Sequence, residues 1–301
     1  MNVRTGKNMK GIVIMNAYPN GEKFYRQSRR LAEELKRAGA ETEIRLNGGI
    51  EATIRTDGAA DCIGGFDFAV YLDKDKYLGR MLELAGLRLF NCADAVEKCD
   101  DKMLTYLALV GAGLCVPETI AAPLCYTPAA VADGAFLARV GERLGFPLVA
   151  KKSFGSFGKD VRLLPDMEAL KATAQEFLYA PHFYQRYIAA SAGRDLRVIV
   201  IGGKAVAAME RRAKAGEFRS NIELGGTGRA VALTEEFRAA AEKAAQVLKL
   251  DYCGVDLLYG EDGPVLCEVN SNAFFEGLEA ATGVNVAKLY AEYIVGTMGG
   301  R

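Results

Sequence analysis

Histidine occurs once in the 301 residues, at His182, and no two of the seven cysteines stand in C-x-x-C spacing. The lone histidine reads as a packed or surface residue, and no general-base role falls to it. Cys62, Cys92, Cys99, Cys115, Cys125, Cys253 and Cys267 are scattered singly. An odd, unpaired set argues against both a disulfide framework and a zinc knuckle. Cys253 and Cys267 have apolar neighbours, as small buried hydrophobes in a reducing compartment do. Excess charge of either sign is missing too, with 38 Lys+Arg against 38 Asp+Glu. A general polyanion binder carries a basic surplus, so nucleic acid is not expected as a partner. No apolar run approaches the ~20 residues of a membrane span, and no membrane partner is expected. Met1 to Lys10 carries Arg4, Lys7 and Lys10, but no apolar stretch follows them as in a secretory leader. The expected location is cytoplasmic. The P-loop spacing G-x-x-x-x-G-K-[ST] is absent as well.

What is present is ordinary globular composition, 50% hydrophobic and 25% charged, long enough for two or three units. In the first segment Gly11 to Met15 is a short apolar run suited to a buried parallel strand. Phe24, Ser28, Leu31, Leu35 and Ala38 follow at helical spacing, and Gly39 stands where a helix would stop. Strands are expected over 43–46, 66–72 and 87–90, with a helix from Lys76 to Ala85. Such alternation predicts a parallel sheet covered on both faces. Its boundary is placed near Cys99.

The middle segment starts with a helix near 101–110. Leu148 to Lys151 then leads into a loop holding Gly155 and Gly158, followed by a strand at 160–164 and a helix at 167–178. Further on, 195–201 and 204–210 flank Gly202-Gly203 and read as a β-hairpin with a primed turn. A helix covers 235–248. A second hairpin runs over 253–259 and 265–270, with a five-residue turn from Gly260 to Pro264. The expected division is 1–98, 99–190 and 191–301.

Three features carry chemistry. Glu268 and Asn270, two apart on a strand, share a face; a five-residue turn sets Asp256 opposite Glu268, and a turn one residue different leaves them diagonal, still within reach. Opposed carboxylates repel, and a magnesium ion, which takes oxygen ligands, would remove that cost. A solvated polar face on an edge hairpin is the alternative. Gly155-Ser156-Phe157-Gly158 lets backbone amides turn toward a phosphate. Of Lys151 and Lys152, which strand alternation sends to opposite faces, Lys151 is assigned to the phosphate; a ligand-free hairpin turn is the alternative. Glu210-Arg211-Arg212 and Phe218-Arg219-Ser220-Asn221 form a basic, amide-rich run that could grip a phosphoryl group or a carboxylate. Surface charge around a loop would look the same.

Their order along the chain is more specific than any one of them. From about Cys99 to Val295 the sequence resembles the ATP-grasp superfamily, and within it the RimK-type amino-acid (α-L-glutamate) ligases. The resemblance is densest in Gly193-Arg194-Asp195-Leu196-Arg197-Val198, Met209 to Ala213, Phe218 to Asn221, Gly254-Val255-Asp256, Cys267 to Ser271, Glu276 to Glu279 and Thr282 to Val286. It implies mixed α/β and α+β architecture: a Rossmann-like pre-ATP-grasp domain, then two α+β subdomains sandwiching ATP. By position it implies Lys102 and Lys151 as phosphate lysines and Gly155, Ser156 and Gly158 as the closing loop. Gln185, Arg186, Tyr187 and Ile188 correspond to the adenine hinge, Asp195 lies near the ribose, and Arg219, Ser220 and Asn221 contact the nucleotide. Asp256, Glu268 and Asn270 correspond to the metal ligands, and Arg212 and Arg197 to catalytic arginines. Two departures stand out. Arg186 replaces a usual Glu, and Asn270-Ser271-Asn272-Ala273-Phe274-Phe275 replaces the common Asn-Ala-Ser-Pro-Gly.

The implied activity is ATP-dependent carbon–nitrogen ligation of an acid and an amino acid. A carboxylate takes the γ-phosphoryl group of ATP, and an amine then displaces phosphate from the acyl phosphate. Such phosphoryl transfer rests on positioning and charge neutralisation. The implied cofactors are ATP and Mg2+, expected as two ions with Mn2+ able to substitute. Partners are small carboxylate and amine substrates, a peptide or protein tail as a further acceptor, and a second copy of the chain. A ligase for dipeptides or D-amino acids, and an ATP-binding regulator, are the alternatives.

Overall fold

In the computed structural model, which describes residues 9–18 and 21–300, the first strand β1 (Met9–Met15) is buried from Gly11 onward. The segment 1–8, on which the absence of a leader was read, lies outside the described residues. Helix α1 (Glu22–Arg37) follows and ends before Gly39, leading into β2 (Ala40–Leu46). A short hairpin of β3 (Thr53–Ile54) and β4 (Ala60–Asp61) precedes β5 (Phe68–Leu72). Next come α2 (Lys76–Leu84), β6 (Arg88–Phe90) and α3 (Ala93–Asp100). The Asp75 carboxylate caps α2 by accepting from the Tyr77 and Leu78 amides. The strands form a parallel sheet of order β2-β1-β5-β6. Alternate residues feed two cores: Ile12, Ile14, Ala69 and Tyr71 on one face, Val13, Val70 and Phe90 on the other. Both faces are covered, as the apolar strands require.

The middle region holds α4 (Lys102–Ala108), β7 (Thr119–Ala121), α5 (Gly134–Leu144), β8 (Leu148–Lys152), β9 (Val161–Leu164), α6 (Met167–Phe177) and β10 (His182–Arg186). Its strands pair antiparallel in the order β7-β10-β8-β9. Helices α5 and α6 cover one face with Leu137, Val140, Leu144, Leu170 and Phe177. His182 is buried there, bonded to the Ala180 carbonyl and the Tyr184 hydroxyl.

The last region holds β11 (Arg194–Ile201), β12 (Lys204–Arg212), β13 (Thr227–Ala230), α7 (Glu235–Val247), β14 (Tyr252–Gly260), β15 (Gly263–Asn270), α8 (Glu276–Thr282) and α9 (Val286–Gly299). The sheet is antiparallel, β13-β12-β11-β14-β15. Gly202 and Gly203 both take positive φ, 55° and 77°, as the primed turn demands. The second hairpin differs from the sequence reading. Its turn is Glu261-Asp262, with Gly260 opposite Gly263, and the extra residue is a bulge between Asp256 and Leu257 that displaces Cys267.

Packing crosses the divisions read from sequence. Helix α4 leaves the middle sheet and lies on the last one, where the Tyr106 hydroxyl donates to the Cys267 carbonyl. Helix α9 returns to the first sheet, its Tyr290 and Ile294 packing with Leu31 and Leu35 of α1. The first and last units are further joined through Asn91, whose amide bonds Asp251 N, Tyr252 N, Tyr252 O and Ser271 O.

Candidate active site

A charged row crosses the five-stranded sheet. Asp195 and Arg197 lie two apart on β11 and so share a face. Arg211 on β12 faces Asp195, donating to both its oxygens at 2.7 and 2.5 Å. Arg197 faces Asp256 on β14, which in turn faces Glu268 on β15. Arg197 grips both Asp256 oxygens at 2.7 Å, and Arg211 reaches Asp256 Oδ2 at 2.9 Å. Burial pushes the Asp256 carboxyl up, but the two guanidinium groups outweigh it and hold it below the usual carboxylate range.

The pairing of Asp256 with Glu268 thus arises through the bulge. The bulge also turns Cys267, together with Glu268, toward the cleft.

Arg212 requires a correction. Strand alternation sends it to the opposite face from Arg211, where it donates to Glu210 at 2.7 Å, and its side chain is 53% exposed. It does not line the cleft, whereas Arg211, 3% exposed, does. The arginines of this sheet that line the cleft beside Asp256 are Arg197 and Arg211.

The facing wall comes from the middle region. Lys151 is buried at the end of β8, with Nζ 3.7 Å from Cys267 Sγ. Burial opposes its charge, while Cys267, Tyr106 and Glu268 around it raise its pKa overall. Lys152 also borders the cleft, but its ammonium is paired with Asp160 at 2.9 Å. Lys102 opens α4 and reaches two elements at once: Nζ donates to the Gly155 carbonyl at 2.9 Å and lies 3.5 Å from Glu268 Oε1. The loop between β8 and β9 needs its glycines, since Gly155 and Gly158 have φ of 131° and 69°. A Cβ at Gly158 would meet Asn221 Oδ1 at 3.1 Å. Arg219 holds the same loop by donating to the Gly158 carbonyl. Ser156, Ser220 and Asn221 all line the cavity.

Gln185, Tyr187 and Ile188 line the far end of the cleft. Gln185 is buried and donates to the Thr119 hydroxyl at 2.8 Å. The side chain of Arg186 is committed outward, to Glu118 and to the Arg143 and Leu144 carbonyls. Arg186 itself also borders the cavity.

The whole encloses a cavity of about 420 Å³, with Asn16, Tyr18, Phe24, Asp73 and Lys74 of the first unit among its walls. The sequence gives none of these five a site role, reads Phe24 only as part of helix α1, and carries Arg211 only within the basic run 210–212, because the fold alone brings them to the cleft. Among the described residues no three His, Cys, Asp or Glu side chains group as a metal cage. Two opposed carboxylates, Asp256 and Glu268, and the amide oxygen of Asn270, two residues on from Glu268 and bordering the same cleft, are present instead. That donor set fits magnesium, which takes one or two carboxylates and completes its shell with water and phosphate.

Residues 99–294 match the RimK-like ATP-grasp domain. The chain belongs to that family. It is an ATP-dependent ligase with the ATP-grasp fold. A probable α-L-glutamate ligase of Thioalkalivibrio sulfidiphilus is 40% identical over 217 residues, 71% of this chain and 69% of the relative. β-Citrylglutamate synthase B of Danio rerio is 33% identical over 234 residues, 77% of this chain but only 56% of that protein, so the chain spans little more than half of it. Among solved structures, the ATP-grasp ligase PsnB complexed with a minimal precursor, Mg and ADP superposes with a TM-score of 0.69. At 19% identity over 97% of this chain and 98% of that one, the likeness shows the fold alone.

Proposed function

We propose that the chain joins a carboxylate to the amino group of an amino acid, with L-glutamate the first candidate. The observation that carries this is the meeting of Lys102 with both Gly155 and Glu268: one ammonium ties the phosphate loop to the metal strand. Bound ATP and Mg2+ would supply a phosphoryl group that activates the carboxylate as an acyl phosphate. Lys102, Lys151 and the loop 155–158 hold the phosphates. Arg219, Ser220 and Asn221 close that loop, and residues 185–188 with Asp195 receive the nucleoside. Asp256, Glu268 and Asn270 hold the metal. Arg197 and Arg211 stand beside the point where charge develops on the transferring group, as preorganised donors.

The names of the relatives support glutamate, since each refers to a glutamate-containing product or a glutamate ligase. Two metal ions, Mn2+ as a replacement, a peptide or protein tail as a substrate, a homo-oligomer, a cytoplasmic location and domain limits at 98 and 190 belong to the same reading. No helix among the described residues is long and apolar enough to cross a membrane.

The test is phosphate release with ATP, Mg2+ and glutamate against a panel of small carboxylic acids and peptides. Release that needs a particular pair, with the joined product seen by mass, is the expected result. It should vanish with chelator and in an Asp256→Ala, Glu268→Ala double variant. Nucleotide binding without release for any pair would overturn the reading in favour of a regulator.

A further inference from the structure

The parallel sheet runs β2-β1-β5-β6, so the chain leaves β1 for one side and returns on the other. In open parallel sheets that reversal leaves a crevice beyond the carboxyl ends of the two strands concerned, and ligands bind there. The residues next after those ends are Asn16, after β1, and Asp73, after β5. They are bonded to each other, Asn16 Nδ2 donating to Asp73 Oδ1 at 3.1 Å, and both line the cleft. The Lys74 amide donates to the same Oδ1 at 2.6 Å.

Asp73 is 5% exposed, and its Oδ2 is buried without a partner. An isolated buried carboxylate oxygen is costly, and native structures leave few. No ion pair reaches Asp73 among the described residues: the adjacent Lys74 is spent on Asp100 at 2.6 Å and on Ser156 at 3.3 Å. A buried carboxylate oxygen on the cleft wall that no donor reaches calls for a ligand that is positively charged and carries N–H donors.

We propose that Asp73, oriented by Asn16, binds the ammonium group of the amine substrate, an α-amino acid, as it enters the cleft. This rests on the ligase reading and names the part of the site that selects the acceptor. Burial without a countercharge pushes the Asp73 carboxyl up, and an arriving ammonium supplies that countercharge. The crevice lies where the first unit forms the wall of the cleft. Asn16 is a positioning residue, acting through the carboxylate it holds.

The experiment compares the native chain with Asp73→Asn and Asn16→Ala. Turnover is measured with ATP, Mg2+, L-glutamate and the acid found above. Binding of L-glutamate and of its deaminated analogue, glutarate, is measured by calorimetry in the presence of a non-hydrolysable ATP analogue. Losing one charged hydrogen bond should raise the KM or Kd for glutamate about tenfold or more in Asp73→Asn, with nucleotide affinity unchanged. Asn16→Ala should raise KM less and leave kcat near native. The native chain should prefer glutamate over glutarate, a comparison that needs no variant to fold. Turnover with an unchanged glutamate KM in Asp73→Asn, or equal binding of glutamate and glutarate by the native chain, would overturn the inference and leave the ligase reading standing. Absence of turnover with every pair would sink the ligase reading, and glutamate binding lost in Asp73→Asn would still support Asp73. No glutamate binding by the native chain would overturn the inference and remove glutamate as the candidate, with the ligase reading still decided by release with any pair.

Discussion

Arg197 and Asp256 face each other across β11 and β14, with Nε donating to Oδ1 and Nη2 to Oδ2, both at 2.7 Å. Arg211 shares the same carboxylate. Asp256 is thus both a proposed metal ligand and the anion that neutralises two arginines, one of them 3% exposed. Glu268 has no such duty, with Lys102 at 3.5 Å as its ion-pair partner and a side chain 30% exposed. The two ligands should part company in a melting experiment. Asp256→Ala leaves a buried guanidinium short of its partner and should cost about 3–5 kcal/mol of stability together with activity. Glu268→Gln should abolish Mg2+-dependent turnover with a melting temperature close to native. Equal destabilisation by both would contradict the difference in their surroundings.

Arg211 and Arg212 are neighbours with opposite fates. The first points to Asp195 and Asp256, the second to Glu210 and solvent. Removing one preorganised donor at the reacting end typically costs about 3 kcal/mol, or roughly a hundredfold in rate. Arg211→Lys keeps the charge but loses the two-pronged grip on Asp195, and kcat should fall toward that hundredfold. Arg212→Ala should keep near-native kcat and lose a little stability. Steady-state kinetics on the pair decides it; a large kcat loss in Arg212→Ala would return that residue to the site.

The contrast also marks how far sequence reading reaches. The parallel first sheet, the Gly202-Gly203 turn and the shared face of Glu268 and Asn270 were legible, because periodicity and glycine placement are local. The opposition of Asp256 and Glu268, which the sequence makes conditional on a five-residue turn, is present although the turn is shorter. A two-residue turn alone would have set the pair off register, and the bulge at Cys267 restores it. Bulges leave no composition signal, so the closeness of Cys267 to Lys151 was out of reach. Motif position points to Arg212, but pairing with β11 sets Arg211 opposite Asp195 and so on the cleft face, and that pairing is tertiary. Asn16 and Asp73 follow from sheet order, which is a tertiary property.

Glu210 lies under three partners, Arg212, Arg229 and the Tyr259 hydroxyl. Burial raises its pKa, but these contacts outweigh burial and bring it down to about 2. Glu217, bonded to Arg219, is also lowered to about 2. An unfolded glutamate titrates near 4.3. A depressed folded pKa means the stabilisation is whole above the unfolded value and is lost as pH falls from there toward 2. Melting temperature should therefore drop steeply between about pH 5 and pH 2, and Glu210→Gln should flatten that limb while lowering stability at pH 7. An unchanged acid slope in the variant would rule out Glu210 as a contributor.

The phosphate loop is tied to the substrate side by aromatic contacts. Phe157, at φ 62°, stacks at 6.3 Å on Phe274, which follows the metal strand, and Lys23 of α1 lies over both rings at 3.8 and 4.7 Å. Each cation–π contact is worth about 0.5–2 kcal/mol. Phe274→Ala should loosen the loop, seen as faster proteolysis between 153 and 160 without nucleotide, and should raise the KM for ATP. Protection of the loop equal to native would show that Lys102 and Arg219 suffice to hold it.

Asn91 makes the joint between the first and last units depend on one side chain. Its amide is 1% exposed and satisfies two backbone amides and two carbonyls, at Asp251, Tyr252 and Ser271. Alanine there would strand four buried backbone groups, each costing about 1–3 kcal/mol if no water replaces the lost bond. A loss of at least ~3 kcal/mol is expected, a fall of roughly 6 °C or more in melting temperature. Ser271 directly follows Asn270, so the same change releases the strand end that presents the metal ligand. Turnover measured well below the new melting temperature should still be reduced, with a higher Mg2+ requirement. Full activity at low temperature would mean that Asn91 holds the two units together without placing Asn270.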